Sequence, residues 1–195
     1  MKRLLDVIAS ALGLLFTSPV LAVSAIAVKR DSPGRVIFRQ QRVGLGGRPF
    51  DIWKFRTMRQ DAPGAAVTVG DDPRITRSGR FLRSTKFDEL PQLVNVLRGE
   101  MSLVGPRPEV PHYVDLWPAS AKKQILSVRP GITDPASIEF RRESEELALA
   151  DDPEAYYVDV VLPRKVALYC EYVEKRSFVG DLVILARTAF SVLGR

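Results

Sequence analysis

Apolar residues fall along this chain in three patterns, each predicting a different element. Residues 7–28, VIASALGLLFTSPVLAVSAIAV, carry no charge over 22 positions. As a helix that stretch is about 33 Å long, enough to cross a hydrocarbon core. Residues 35–43 and 49–57 are short runs rich in β-branched and aromatic residues around Gly44-Leu45-Gly46-Gly47-Arg48, and they predict a basic β-hairpin. Most of the remainder repeats at helical spacing. Asp88 is read as the N-cap of a helix over 88–99, with Pro91 in its first turn and Gly99 at its C-terminal cap. Ser78 is read as the cap of a short helical turn carrying Phe81 and Leu82. Further helices are expected over 118–128, from Asp152-Pro153 onward, and over 163–176 and 178–193, with a short strand at 136–140. Residues 60–76, with Pro63, Gly64, Gly70 and Pro73, predict a long loop. The last helix is apolar around much of its circumference, which suits either a core helix or one lying in a membrane interface.

The flanks of the first segment change its reading. Lys2-Arg3 precede it and Lys29-Arg30 follow it, so the positive-inside tendency draws both ends to the same side. Near its middle, Ser18-Pro19 removes a backbone donor and frees the carbonyl of Leu15, and the Ser18 hydroxyl is available to a freed carbonyl. A re-entrant helix-break-helix over residues 1–30 satisfies both observations better than a single-pass span, and the apolar run exceeds the length usual in a signal peptide. Residues 31–195 are then a cytoplasmic membrane-associated domain. The expected class is α+β: a compact helix-rich domain with a small β-hairpin, a re-entrant N-terminal helix and interfacial amphipathic helices.

Charge narrows the chemistry. The net charge is +6, but residues 29–107 hold 16 basic against 8 acidic side chains, while 108–195 hold 11 against 14. The middle of the chain is the anion-seeking part. His112 is the only histidine and Cys170 the only cysteine, which excludes disulfides, zinc clusters and Cys–His catalysis. The turn at 44–48 lacks the third glycine of a dinucleotide fingerprint and does not open a helix.

Two constellations remain. Asp88-Glu89 lies at a helix start among Arg80, Arg83, Lys86 and Arg107, where an ionised carboxylate and a bound phosphate are both stabilised, and a divalent ion could bridge them. In Gly105-Pro106-Arg107-Pro108, two prolines restrict where one guanidinium points, as bidentate phosphate recognition needs. Arg129-Pro130-Gly131 repeats that pattern less tightly, and Lys54 and Arg56 add strand cations. For each, the bland alternatives are ordinary capping acids and solvated cations.

KFRTM (54–58), DELPQLVNVLRGEMSLVGPRPE (88–109) and RPGIT (129–133), behind an apolar segment with Ser-Pro, resemble the bacterial sugar transferase family of small monotopic phosphoglycosyl transferases. The resemblance implies a UDP-sugar donor, a polyprenyl (undecaprenyl) phosphate acceptor, and residence at the cytoplasmic face of the bacterial inner membrane in contact with its lipids. It also implies the minimal catalytic form, without the additional transmembrane region of longer relatives. Asp88 is then the nucleophile and the Mg²⁺ ligand, and Glu89 assists ion or proton handling. Lys54, Arg83 and Arg107, with Arg129 from the looser pattern, hold phosphates, and Ser18-Pro19 makes the helix re-entrant. A membrane-anchored glycosyltransferase releasing UDP, and a non-enzymatic module binding anionic polymer, are the competing expectations. Nucleic acid is not an expected partner, because aromatic residues do not interleave the basic stretch, and a homo-oligomer is left open.

Overall fold

The computed structural model describes residues 1–59 and 72–193. Most of the expected 60–76 loop therefore lies outside the described residues. Helix α1 spans Lys2–Asp31, and strands β1 (Ile37–Val43) and β2 (Pro49–Phe55) form an antiparallel hairpin with Ile37 opposite Phe55 and Val43 opposite Pro49. Helix α2 (Arg77–Thr85), a 3₁₀ turn (Phe87–Glu89) and α3 (Gln92–Arg98) follow. Then come β3 (Ser102–Val104), α4 (Pro111–Asp115), α5 (Ala119–Ile125) and β4 (Gly131–Thr133), with β3 and β4 parallel. Helices α6 (Pro135–Glu139), α7 (Glu143–Leu147) and α8 (Pro153–Tyr156) lead through a π turn (Tyr157–Val161) into α9 (Leu162–Lys175) and α10 (Phe178–Leu193). The fold is α+β.

In α1 the usual arrangement of a soluble helix is inverted. Asp6, Ser10, Ser24 and Val28 are buried against the domain, with Gly13, Leu14, Thr17, Val20 and Leu21 half-buried along the same stripe. Leu4, Ile8, Leu12, Leu15, Phe16, Val23 and Ile26 face outward. An inner stripe that mixes polar and apolar residues under an apolar outer face suits lipid rather than water. It is the one helix among the described residues long and apolar enough to cross a membrane.

Both ends of α1 are tied to the same body. At the start, Lys2 donates to the Val104 carbonyl at 2.9 Å and pairs with Asp181, Arg3 donates to the carbonyls of Val96 (2.6 Å) and Leu97 (3.0 Å), and Asp6 accepts from Ser102 Oγ and the Leu103 amide. At the far end, buried Arg56 donates to the carbonyls of Ser32 (2.7 Å) and Pro33, satisfying groups that a helix C-terminus leaves bare, while Asp31 accepts from the amide and hydroxyl of Ser78. The helical backbone continues through Ser18-Pro19. There the Ser18 hydroxyl donates to the Leu15 carbonyl at 2.8 Å, the group that Pro19 frees.

Three sequence expectations are corrected. Thr76, not Ser78, caps α2, its Oγ1 accepting from the Gly79 amide at 3.0 Å. Asp88 is not an N-cap: it sits in the 3₁₀ turn, and Pro91 occupies the cap position of α3. Residues 136–140 are helical rather than extended, because Asp134 accepts from the Ser137 amide and Pro135 starts the helix, whereas the strand is the adjacent Gly131–Thr133. Helix α10 is not a core helix either: it buries Asp181 and leaves Phe178, Val179, Leu182, Val183 and Phe190 exposed. The main core lies between α4–α9, from Val114 and Trp117 to Val161 and Tyr169. Two smaller clusters, Val28-Phe55-Leu82 and Ile52-Val96-Met101, fix the hairpin against α1, α2 and α3.

Candidate active site

The segment between α2 and α3 turns sharply. Lys86 ends α2 in the left-handed region at φ 61°, a conformation that strains a side chain bearing a Cβ by about 1 kcal/mol or more. This turn drives Asp88 inward to 8% exposure. The Oδ1 atom of Asp88 is buried and has no hydrogen-bond partner among the described residues.

Its neighbour is treated in the opposite way. Glu89 Oε1 accepts from Lys54 Nζ at 2.8 Å and from Arg107 Nη2 at 2.5 Å, and Oε2 faces Arg107 Nη1 at 3.4 Å. Arg107 and Lys54 hold the Glu89 carboxyl well below the usual carboxylate range, against the pull of burial. Burial and the charge of Glu89 push Asp88 up, with Lys54, Lys86 and Arg83 opposing. Burial lowers Lys54 and Arg83, and the Glu89 charge raises Arg107. Two adjacent acids driven apart in this way have divided roles: Glu89 fixes two cations as a permanent anion, while Asp88 keeps an unengaged oxygen.

Each cation is placed by its own element. Lys54 lies on β2, which is held on α3 by Asn95: the Asn95 amide donates to the Asp51 carbonyl at 2.7 Å and its Oδ1 accepts from the Trp53 amide at 3.0 Å. The Trp53 ring lies between the guanidinium groups of Arg39 and Arg98, at 4.4 and 4.8 Å. Arg83 Nε, from α2, donates to Thr57 Oγ1 at 3.0 Å. Arg107 is fixed through its backbone, whose amide donates to Asp134 Oδ2 at 2.6 Å, so the cap of α6 also anchors the Arg107 loop. The Gly105-Pro106-Arg107-Pro108 and Arg129-Pro130-Gly131 segments clasp each other: Gly131 N donates to the Pro106 carbonyl at 2.9 Å, and a Cβ on Gly131 would meet Gly105 N at 2.1 Å. Only glycine permits that approach.

The structure thus brings Lys54, Arg83 and Arg107 together with Asp88 and Glu89. It does not bring Arg129, which donates to the Gly99 carbonyl at 2.8 Å at the far end of α3. Arg56 also lies apart, as the cap of α1. Sequence reasoning missed Asp134 and Arg42. The signal for Asp134 was its Asp-Pro pair, which matches Asp152-Pro153. Arg42, on β1, donates to the Pro108 carbonyl (3.3 Å) and Glu109 (3.4 Å), and nothing local in the sequence marks it.

Among the described residues no three His, Cys, Asp or Glu side chains cluster so as to cage an ion. One buried carboxylate with a bare oxygen nevertheless suits Mg²⁺, which commonly takes one or two protein carboxylates and completes its shell with substrate phosphates and water.

The chain is similar to known proteins along nearly its whole length. The model of a family described as "Bacterial sugar transferase" matches residues 1–195. A UDP-glucose:undecaprenyl-phosphate glucose-1-phosphate transferase of Caulobacter vibrioides is 41% identical over 98% of this chain and 69% of its own length. The Escherichia coli K12 protein of the same name is 40% identical over 97% of the chain but only 39% of its own length. A UDP-N-acetylgalactosamine-undecaprenyl-phosphate N-acetylgalactosaminephosphotransferase of Aeromonas hydrophila is 38% identical over 80% of the chain and 38% of its own length.

Proposed function

This chain belongs to the bacterial sugar transferase family, and from that premise we propose that it transfers a sugar 1-phosphate from a UDP-sugar to undecaprenyl phosphate through a covalent intermediate on Asp88. The observation that carries the reading is the division of labour between adjacent acids: an inward carboxylate that no hydrogen bond engages among the described residues, beside cations already oriented by Glu89.

An ionised Asp88 oxygen attacks the β-phosphorus, forming an acyl phosphate. The bond from that phosphorus to the bridging oxygen breaks, and UMP leaves with the bridging oxygen. A phosphate oxygen of the polyprenyl acceptor then attacks the same phosphorus, expels the Asp88 carboxylate and gives a polyprenyl diphosphate sugar. Dividing the exchange in two lets a water-soluble donor and a lipid acceptor use one site in turn. Arg107, Lys54 and Arg83 are placed to stabilise charge on the phosphoryl and leaving oxygens, where most catalysis of phosphoryl transfer arises. Asp88 would hold Mg²⁺, and the chemistry such an ion would supply there is neutralisation of charge on the leaving nucleotide.

The lipid acceptor requires this site at a membrane surface. In support, both ends of α1 are tied to one body while its outer face is apolar, as expected of a helix that enters and leaves the cytoplasmic leaflet, Ser18-Pro19 being the point where it would turn. The exposed apolar face of α10 is suited to lie in the same interface. The test is a panel of UDP-sugars with undecaprenyl phosphate, scored by nucleotide product. UMP is expected; release of UDP instead makes the protein a glycosyltransferase that moves the sugar alone.

A further inference from the structure

Helix α3 holds two buried carboxamides, and only one is satisfied. Asn95, 0% exposed, donates to the Asp51 carbonyl and to Glu100 Oε2, both at 2.7 Å, and accepts from the Trp53 amide. Gln92 is also 0% exposed, yet both its Nε2 and its Oε1 lack any hydrogen-bond partner. Leaving a buried amide unpaired is costly, so such a group in a folded protein calls for a cause. Gln92 lies four residues after Asp88, on the next turn, and Asp88 Oδ1 is itself a buried acceptor without a donor. The charged donors around Asp88 are directed elsewhere or stand in solvent: Lys54 and Arg107 to Glu89, Arg83 Nε to Thr57, and Lys86 exposed at the end of α2. Gln92 is the neutral donor left over, and a neutral donor does not withdraw a cation from the phosphates.

We propose that Gln92 is the positioning residue of Asp88, its Nε2 donating to Oδ1 through one internal water, so that the other carboxylate oxygen is presented to the incoming phosphorus. The inference rests on the reading of Asp88 as nucleophile. A hydrogen bond to one oxygen fixes the carboxylate plane, and loss of that orientation slows the attack without weakening donor binding.

The test compares the full-length protein in detergent or nanodiscs with Gln92→Met and Gln92→Glu. Met preserves length and removes both polar atoms, whereas Glu preserves an acceptor and removes the donor. Three quantities are read: melting temperature, KM for the UDP-sugar, and the single-turnover rate of UMP release without acceptor. For Gln92→Met a folded protein is expected, because an apolar side chain of similar shape refills the site, with any fall in melting temperature limited to that of one buried hydrogen bond. Its UMP release should slow at least tenfold with KM within about threefold of wild type, as expected when an interaction made chiefly in the transition state is lost. Gln92→Glu should be at least as slow. A Gln92→Met release rate within twofold of wild type overturns the proposal, and so does a Gln92→Met protein that fails to fold, which would assign Gln92 to packing. Wild-type protein that turns over with acceptor but releases no UMP without it contradicts the two-step reading instead.

Discussion

Replacing the two adjacent acids one at a time should move stability in opposite directions. Glu89, with its side chain 15% exposed, neutralises both Lys54 and Arg107. Glu89→Gln keeps the shape but leaves two largely buried cations without their anion, and removing one partner of a buried pair costs about 3–5 kcal/mol. For a chain of this size each kcal/mol lowers the melting temperature by about 2–4 °C, so a fall of roughly 6–20 °C is expected. Asp88 has no such partner to strand. Its folded pKa is raised by burial and by Glu89, so above that pKa its charge works against folding, and the cost shrinks as pH falls from there toward the ordinary aspartate value. Asp88→Asn should therefore melt at or above the wild-type temperature at pH 7 while forming no sugar-phosphate adduct. Glu89 has the reverse sign: its folded pKa is depressed, so its contribution is present above the ordinary glutamate value and is lost as pH falls through the folded one. Scanning calorimetry of the three proteins at pH 7, in the same detergent, reads both effects. Glu89→Gln as stable as wild type, or Asp88→Asn losing as much as Glu89→Gln, would refute the division of roles.

Other expectations concern the parts that hold this pair. Lys54→Gln removes the largest influence lowering Asp88, so the acidic limb of the pH–rate profile for UMP release should move to higher pH; an unmoved limb contradicts the contact. Arg107→Lys, which cannot reproduce the two-pronged contact with Glu89, should reduce kcat/KM by tenfold or more, measured by UMP release with saturating acceptor. Asp134→Ala bares the amides of Arg107 and Ser137 and should cost about 1–2 kcal/mol of stability together with loss of activity, read by melting and turnover, although Asp134 touches no phosphate. Pro19→Ala restores the donor for the Leu15 carbonyl, and cysteine labelling from each side of the membrane should then find position 2 reachable from outside, whereas both ends of wild-type α1 should label only from the cytoplasm.

Much of the fold was legible because its signals are local. Apolar 7–28, the glycines at 44–47 and Gly99 each encode an element within a few residues, and α1, the hairpin and the end of α3 lie where those residues predict. The failures occurred where a local preference met a tertiary demand. Asp88 is a good capping residue by type, but the left-handed Lys86 and the following 3₁₀ turn carry it inward instead. Residues 136–140 alternate like a strand, yet Asp134-Pro135 starts a helix there. At the site, the sequence alone places Asp88-Glu89 among cations and flanks Arg107 with two prolines. The ion pairs of Glu89, the anchoring of Arg107 by Asp134 and the role of Arg129 at the end of α3 join positions 18 to 35 residues apart, which no local pattern exposes.

Rapid quenching of the protein with UDP-sugar alone, followed by intact-mass and peptide mass spectrometry, addresses the nucleophile most directly. Asp88 should carry one sugar-phosphate group, formed together with UMP and discharged on addition of undecaprenyl phosphate. A protein that turns over yet never carries that group, or carries it on another residue, would contradict covalent catalysis by Asp88.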